Sequence, residues 1–343
     1  MTLPYASALV TGISGQDGAL LAAHLLGQGV AVTGTHRPGR APDLWRLHGL
    51  GIDAHPRLAM APLDPADAPA CAALVEALQP DALFHLAGQS RVADSFRDPQ
   101  GSVAANGLST VNLLEAVRAH APAAHVVLAS SAEIFGSPAR SPVDETTPSA
   151  PLSPYGYSKL VAHAAVGTWR ASYGLAASSA ILFNHESEWR DAAFVTRKIS
   201  LGVARIARGE AQEIALGNLD AQRDFGYAPD YVAAMAAMAG RDGGADYVLA
   251  TGHAASVRDF ATTAFAAAGM ALEWRGEGLH EVAVERGNGR VRVRVDPAFF
   301  RPVDAPLLVG EAAKARRELG FAPSLDLAGL ARRMVQADLA RLE

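Results

Sequence analysis

Four kinds of reactive side chain occur in a compact order in the middle of this chain. Tyr155-Gly156-Tyr157-Ser158-Lys159 sets Tyr155 and Lys159 four positions apart, so on a helix both side chains leave one face. A tyrosine with a pKa near 10 is a poor base at neutral pH, and a neighbouring ammonium lowers that pKa and favours the phenolate. Upstream, Ser130-Ser131-Ala132-Glu133-Ile134-Phe135-Gly136 closes a strand candidate. A hydroxyl there can hold a substrate oxygen that Tyr155 deprotonates. Near the start, Ala8-Leu9-Val10-Thr11 runs into Gly12-Ile13-Ser14-Gly15-Gln16-Asp17-Gly18 and a helix pattern. Gly12 permits a tight turn, Gly15 a close backbone approach to a pyrophosphate and Gly18 helix-on-sheet packing, with the helix N-terminus facing the anion.

This turn predicts a dinucleotide site to which Gly12, Ser14, Gly15, Gln16, Asp17 and Gly18 contribute. An acidic residue at the end of the second strand would bind the ribose hydroxyls of NAD, whereas basic residues accept the extra phosphate of NADP. Here Thr35-His36-Arg37-Pro38-Gly39-Arg40 is basic, which favours NADP over NAD and puts Arg37, with Arg40, on that phosphate. Asp64 after the third strand candidate and Leu86-Ala87-Gly88 after the fourth are further adenine and ribose contacts.

The elements that must position these residues alternate in type. Strand candidates at Ala8 to Thr11, Val30 to Thr35, Ala82 to Leu86 and His125 to Ser130 alternate with helix candidates at Gly18 to Gly27, Ala68 to Leu78 and Val103 to His120. Such alternation predicts an α/β fold, a Rossmann-type doubly wound parallel sheet. Ser137 to Pro154, rich in proline, reads as an ordered loop over a site, and Glu186 to Ala192 as a second loop after a strand at Ala177 to Phe183. Beyond about residue 255 the alternation becomes irregular, which predicts a smaller, discontinuous α/β C-terminal substrate-binding domain.

The 343 residues carry 30 basic and 35 acidic side chains, a net charge of −5, with no basic block to neutralise a nucleic-acid backbone. The single cysteine, Cys71, sits in an apolar pattern and reads as a core residue; one cysteine makes neither an internal disulfide nor a multi-cysteine metal site. No metal is expected. No apolar run approaches the roughly 20 residues that span a bilayer, and the start has no signal-peptide pattern, so the expected place is the cytoplasm.

The glycine turn, the strand-end serine and the Tyr155–Lys159 pair, in that order, resemble the extended short-chain dehydrogenases/reductases. Leu182-Phe183-Asn184-His185-Glu186-Ser187 and Phe194-Val195-Thr196-Arg197-Lys198-Ile199 are similar to the substrate-binding signature of the GDP-mannose 4,6-dehydratase family. So are Leu216-Gly217-Asn218-Leu219-Asp220, Arg223-Asp224, Asp230-Tyr231-Val232 and Phe300-Arg301-Pro302, and the resemblance covers nearly the whole chain.

This resemblance implies an NADP-dependent lyase acting on a GDP-sugar. Hydride would leave C4 of the hexose with Tyr155 as base and Lys159 on the nicotinamide ribose, Ser131 holding the sugar oxygen. Glu133 would remove the C5 proton and help the C6 hydroxyl leave as water, and the hydride would return to C6. Asn184, Val195, Thr196, Lys198, Asn218, Arg223 and Arg301 would bind substrate, with Lys198, Arg223 and Arg301 on the diphosphate. It also implies an NADP-binding domain of residues 1–182 and 224–254, a cap of residues 183–223 and 255–343, and a homodimer through the helices starting near Val103 and Tyr155. A tetramer is the alternative, although the segment from Arg37 to Gly51 is shorter than the loop some members extend to a neighbour.

Ser131 and Ala132 stand where the family usually has threonine and serine, and Glu188-Trp189-Arg190-Asp191 replace a proline and paired arginines. A different GDP-linked sugar, such as a heptose, fits these departures. The alternative activities on this fold are a GDP-4-keto-6-deoxymannose reductase and a nucleotide-sugar 4-epimerase, neither of which needs the Glu133 carboxylate. A non-catalytic NADP-binding regulator would not need Ser131, Glu133, Tyr155 and Lys159 together.

Overall fold

Short apolar runs bounded by glycine, proline or aspartate form the strands of this chain, and alanine-rich amphipathic runs form its helices. The computed structural model describes residues 3–39, 41–300 and 307–342. Its strands are β1 Ser7–Thr11, β2 Ala31–His36, β3 Leu58–Pro62, β4 Ala82–His85, β5 His125–Ala129, β6 Ala177–Leu182, β7 Asn184–Glu186, β8 Ile214–Leu216, β9 Gln222–Tyr227, β10 Asp246–Leu249, β11 Ala254–Ser256, β12 Leu272–Arg275, β13 Val282–Glu285 and β14 Val291–Val295. The helices are α1 Gln16–Gly27, α2 Trp45–Gly49, α3 Ala68–Leu78, α4 Val92–Ser95, α5 Pro99–Val103, α6 Ser109–His120, α7 Pro154–Tyr173, α8 Val195–Ala207, α9 Ala228–Ala239, α10 Val257–Ala267, α11 Ala313–Leu319 and α12 Leu327–Arg341.

By internal contact the chain divides into two compact units. One comprises Met1–Phe183, Ala228–Leu249 and Gly310–Ala322, the other Asn184–Tyr227, Ala250–Val309 and Pro323–Glu343. The segment 310–322, expected within the cap, lies in the first unit. Gly310 bridges to Val143 there, and Lys314 Nζ in α11 donates to the carbonyl of Asp246 in β10 (2.9 Å).

In the first unit a seven-stranded parallel sheet runs β10-β6-β5-β4-β1-β2-β3. The chain starts in the middle at β1, moves outward through β2 and β3, then crosses to β4 on the other side of β1. That reversal opens a crevice at the carboxyl ends of β1 and β4, where open α/β sheets bind ligands. β4, β5 and β6 are buried along their whole length, which is why they read as continuous apolar runs and not as alternating ones. Cys71, Val75, Leu113, Leu114, Val117 and Val166 cover one face in a single apolar cluster. Burial pushes the Cys71 thiol up to about 12, which fits an inert packing residue.

A buried polar chain fixes the crevice. Thr11 Oγ1, at the end of β1, accepts the amide protons of Leu86 and Ala87 (3.1 Å each) beyond β4. With two bonds accepted, its own proton goes to His85 Nδ1 (2.9 Å), which assigns the Nε2–H tautomer to His85. Nε2 then donates to Ser109 Oγ (3.0 Å), which donates to the carbonyl of Ala105 (2.7 Å). Burial, and secondarily the charge of Lys159, lowers the His85 pKa to about 3, so the ring stays neutral.

The second unit holds two small sheets, β11-β9-β7 and β12-β13-β14-β8. Ile199 and Val203 of α8, Phe260 and Phe265 of α10, and Met334 and Val335 of α12 share its core. Arg197 of α8 pairs with buried Asp338 of α12, which also accepts from Ser200 Oγ (2.7 Å).

Replacing Thr11 by valine removes the shared acceptor and leaves two amides at the crevice without their partner. The variant is expected to lose about 1–3 kcal/mol of stability, read from urea unfolding; an unchanged midpoint would contradict the role given to this hydroxyl.

Candidate active site

β5 ends at Ala129, and the chain leaves it in an extended conformation at Ser131 (φ −149°, ψ 145°). Ser131 Oγ accepts the Glu133 amide proton (3.2 Å) and caps a single 3-10 turn, Ala132–Ile134. The half-buried Glu133 is thereby carried one turn beyond the strand end.

Helix α7 begins where Ser153 accepts from the Gly156 amide (3.0 Å), with Pro154 in its first turn. Four positions after Tyr155, Lys159 donates its ammonium to the Ala129 carbonyl (2.8 Å), with both side chains only 9% exposed. Nζ lies 6.0 Å from the centre of the Tyr155 ring. Between them, Gly156 allows α7 to lie on the turn that carries Glu133: a Cβ there would come within 2.6 Å of the Glu133 carbonyl oxygen. The structure thus brings the carriers of Ser131, Glu133, Tyr155 and Lys159 together at one end of β5. Burial lowers the Lys159 pKa to about 8, opposed by the negative charge of Asp17 in the first turn of α1.

The positioning residue Asn106 was missed in the sequence. It sits in a π-helical turn, Ala104–Leu108, between α5 and α6. Its amide nitrogen donates to Ser158 Oγ (2.8 Å) and to the Gln89 carbonyl (3.1 Å), and its Oδ1 accepts from the Gln89 amide (3.0 Å). Ser158 Oγ in turn donates to the Tyr155 carbonyl (2.7 Å). The polar Asn106-Gly107 pair inside an otherwise good helix pattern was the available signal, since π turns recur at functional sites.

The glycine turn lies at the carboxyl end of β1. Gly12 takes φ +74°, and a Cβ on it would stand 2.9 Å from the Ala87 backbone nitrogen. α1 starts at Gly15 with no side-chain cap, and a glycine turn leading into a helix N-terminus is the kind of place where anions bind. Gln16 is buried and donates to Asp17 (2.9 Å), and Arg46 Nη1 donates to the Ser14 carbonyl (2.8 Å). Arg37 is exposed, and Asp64 is exposed with a carboxylate oxygen accepting from the Ala66 amide (3.0 Å). Leu86 and Ala87 hang from Thr11, with Gly88 next. An uncapped helix start, a glycine bend packed on the β4 loop and no carboxylate at the end of β2 fit NADP.

In the second unit, α8 likewise begins without a side-chain cap, with Val195 and Thr196 in its first turn. Thr196 is buried and its hydroxyl donates to Glu186 (2.5 Å), which ties the start of α8 to β7. Lys198 Nζ stands 3.1 Å from the centre of the Phe299 ring, and burial lowers its pKa against the pull of Asp296. Asn184 is half-buried at the start of β7. Asn218 is exposed and accepts from the Asp220 amide (3.0 Å). Arg223 on β9 donates to the Gln222 carbonyl (2.7 Å). Arg301 and Arg40 lie outside the described residues.

The divergent loop after Ser187 is anchored to the C-terminal helix. Buried Glu188 pairs with Arg333 (2.9 Å), Arg341 stacks over Trp189 (4.3 Å), and Arg190 pairs with Glu186 (3.2 Å) while covering the Phe194 ring (3.7 Å).

The model of the GDP-mannose 4,6 dehydratase family matches residues 9–334. A GDP-mannose 4,6-dehydratase of Sinorhizobium fredii (strain HH103) is 41% identical over 340 residues, 98% of this chain and 97% of that protein. A GDP-mannose 4,6-dehydratase of Sordaria araneosa is 42% identical over 337 residues, 97% of this chain, which spans 61% of that relative's length. Among solved structures, a UDP-glucose 4-epimerase from Thermotoga maritima is similar in fold, with a TM-score of 0.82 at 20% identity, over 98% of this chain and 100% of that one.

Because the folded Lys159 pKa lies near 8 and its ordinary value is 10.5, the unfolded lysine holds its proton over a range where the folded one has lost it. The cofactor-free chain should therefore gain stability as pH rises from about 8 to 10.5, by an amount on the order of 3 kcal/mol. Lys159→Met should lack this rise. Urea unfolding of both proteins across that range checks it, and parallel pH profiles would contradict it.

Proposed function

The chain belongs to the GDP-mannose 4,6-dehydratase family, and from that premise we propose that it is a hydro-lyase. It removes water from GDP-mannose, or from a closely related GDP-sugar, to give the GDP-4-keto-6-deoxy sugar. The observation that carries this reading is Glu133, set beside Ser131 on a turn against which the first turn of α7 packs. A reductase or a 4-epimerase has use for Tyr155 and Lys159 but not for a carboxylate at this position.

Bound NADP supplies the acceptor, and afterwards the donor, of one hydride. Tyr155 as phenolate takes the proton of the C4 hydroxyl, and the Lys159 ammonium favours that phenolate and holds the nicotinamide ribose. Ser131 Oγ already accepts one amide proton, so its own proton is directed to the sugar oxygen. The C4 ketone acidifies the C5 proton. Glu133 removes it and protonates the C6 hydroxyl, which leaves as water. Gly12, Ser14, Gly15, Gln16, Asp17, Gly18, Arg37, Asp64, Leu86, Ala87 and Gly88 make the first unit the cofactor-binding domain. The second unit is the substrate-binding domain, where the uncapped start of α8, with Lys198, Arg223 and Arg301, neutralises the diphosphate. Asn184, Val195, Thr196 through its backbone, and Asn218 frame the rest.

The chain acts as a homodimer in the cytoplasm. No helix among the described residues is long and apolar enough to cross a membrane. Leu108, the residue before α6, and Tyr157 and Tyr173 on α7 are 49%, 55% and 56% exposed, and these two helices pair with those of a second copy. Leu108→Glu with Tyr173→Glu should shift the particle to a monomer by light scattering; a dimer that persists would reject this interface.

Incubation with GDP-mannose and a panel of other nucleotide sugars should yield a product lighter by one water by mass spectrometry, carrying solvent deuterium at C5 when run in D2O. Glu133→Gln should lower kcat by about 10²–10⁴-fold. Turnover without loss of water, or a Glu133→Gln variant at full rate, would overturn the dehydratase reading.

A further inference from the structure

A helix has no acceptors of its own for the amides of its first turn. At the start of α7, Ser153 Oγ meets the Gly156 amide, and Tyr157 begins the backbone ladder by donating to the Ser153 carbonyl (2.9 Å). The amide of Tyr155 takes an acceptor from outside the helix. It donates to Ser95 Oγ (3.0 Å), 60 positions earlier in the sequence. Ser95 is fully buried at the end of the short helix α4, and its own proton goes to the Val92 carbonyl (2.7 Å). A lone pair of the hydroxyl is thereby turned to the Tyr155 amide.

α4 continues the segment that leaves β4. Along that segment Leu86 and Ala87 hang from Thr11, Asn106 holds both backbone groups of Gln89, and Ser95 then reaches α7. One stretch of chain is therefore tied in turn to the end of β1, to the π-helical turn and to the backbone of Tyr155. The Tyr155 carbonyl is held as well, by Ser158 Oγ (2.7 Å). We propose that Ser95 is a positioning residue for the reaction: by anchoring the Tyr155 amide to the segment after β4, it sets how close the phenol stands to the Lys159 ammonium. An ammonium favours a phenolate less as the distance between them grows. The inference rests on the reading of Tyr155 as the base, and the experiment separates the two.

The full-length Ser95→Ala variant is compared with the wild type and with Ser102→Ala. The latter removes an equally buried hydroxyl from the adjacent helix α5, where it donates to the Asp98 carbonyl (2.9 Å). With NADP and GDP-mannose, Ser95→Ala should lower kcat by about 10- to 100-fold while KM changes by no more than about threefold. The acidic limb of its kcat profile should move to higher pH, because a phenol held less close to the ammonium gives up its proton later. Ser102→Ala should leave that limb in place. Phenolate absorbance, taken as the difference between each cofactor-free protein and its Tyr155→Phe counterpart, should show the same upward displacement without any turnover. A prop for the fold would lower the fraction of active protein and leave the titration of the phenol where it was. An unshifted titration in Ser95→Ala, or an equal shift in Ser102→Ala, would therefore overturn the proposal. Should Ser95→Ala fail to fold, Ser95→Cys puts a weak acceptor at the same place and must displace the titration in the same direction. A wild type that turns over no nucleotide sugar would sink the reading of Tyr155 as the base, while the titration still decides on Ser95.

Discussion

One buried contact, the ammonium of Lys159 on the carbonyl oxygen of Ala129, sets the geometry on which the candidate active site depends. Taking a charge out of water is costly unless polar partners meet it. Here the last carbonyl of β5 and the field of Asp17 do so. Because Ala129 ends the strand, any arrangement that satisfies Lys159 holds α7 at that strand end. Ser131 then follows two residues beyond the accepting carbonyl, and Tyr155 precedes the ammonium by about one helical turn. Placement of the first turn of α7, which carries Tyr155, at that strand end is thus a consequence of satisfying the amine.

A second layer keeps that alignment from drifting. Asn106 joins the loop after β4 to Ser158 on α7 through three hydrogen bonds, and Ser158 passes the constraint to the Tyr155 carbonyl. Thr11 and His85 do the same between β1 and the segment after β4, with every donor in the chain given an acceptor. Such networks specify one arrangement when they are fully satisfied and are costly when they are not. The π-helical turn belongs to this logic, because one residue more per turn re-aims Asn106 without ending the helix.

The first unit was legible because its signals are local. α3 was read at its observed limits and β1, β2, β4, β5, β6 and α1 to within two residues, since continuous apolar runs flanked by glycine and proline have few alternatives, whereas α6 starts six residues later than the helix read from Val103 and β10 was not read. The glycine turn and the four-residue spacing of Tyr155 and Lys159 each state their geometry in adjacent letters. Asn106 was not legible. Its place arises from contacts with residues more than ten positions away, Gln89 and Ser158. The region beyond residue 255 read as irregular because β11, β12 and β13 have three, four and four residues, too short for a period of two to show. The bond of Thr196 to buried Glu186, ten positions earlier, was likewise not legible.

The pattern of helix caps argues for where the anions go. α3, α7, α10 and α12 each begin on an Asp or Ser side chain that accepts an amide proton of the first turn: Asp67, Ser153, Ser256 and Asp326. A cap of this kind contributes about 1 kcal/mol; the short helices α2, α4 and α11, and α6, which continues the π-helical turn, start without one. α1 and α8 start on Gly15 and Phe194, whose side chains make no such bond. These are also the two helices whose first turns the family reading assigns to a pyrophosphate, one of the cofactor and one of the substrate. A capping side chain would occupy the amides that a phosphate oxygen must reach. On that reading, ligand binding would recover the stability forgone at both helix starts and tie each unit to the nucleotide assigned to it.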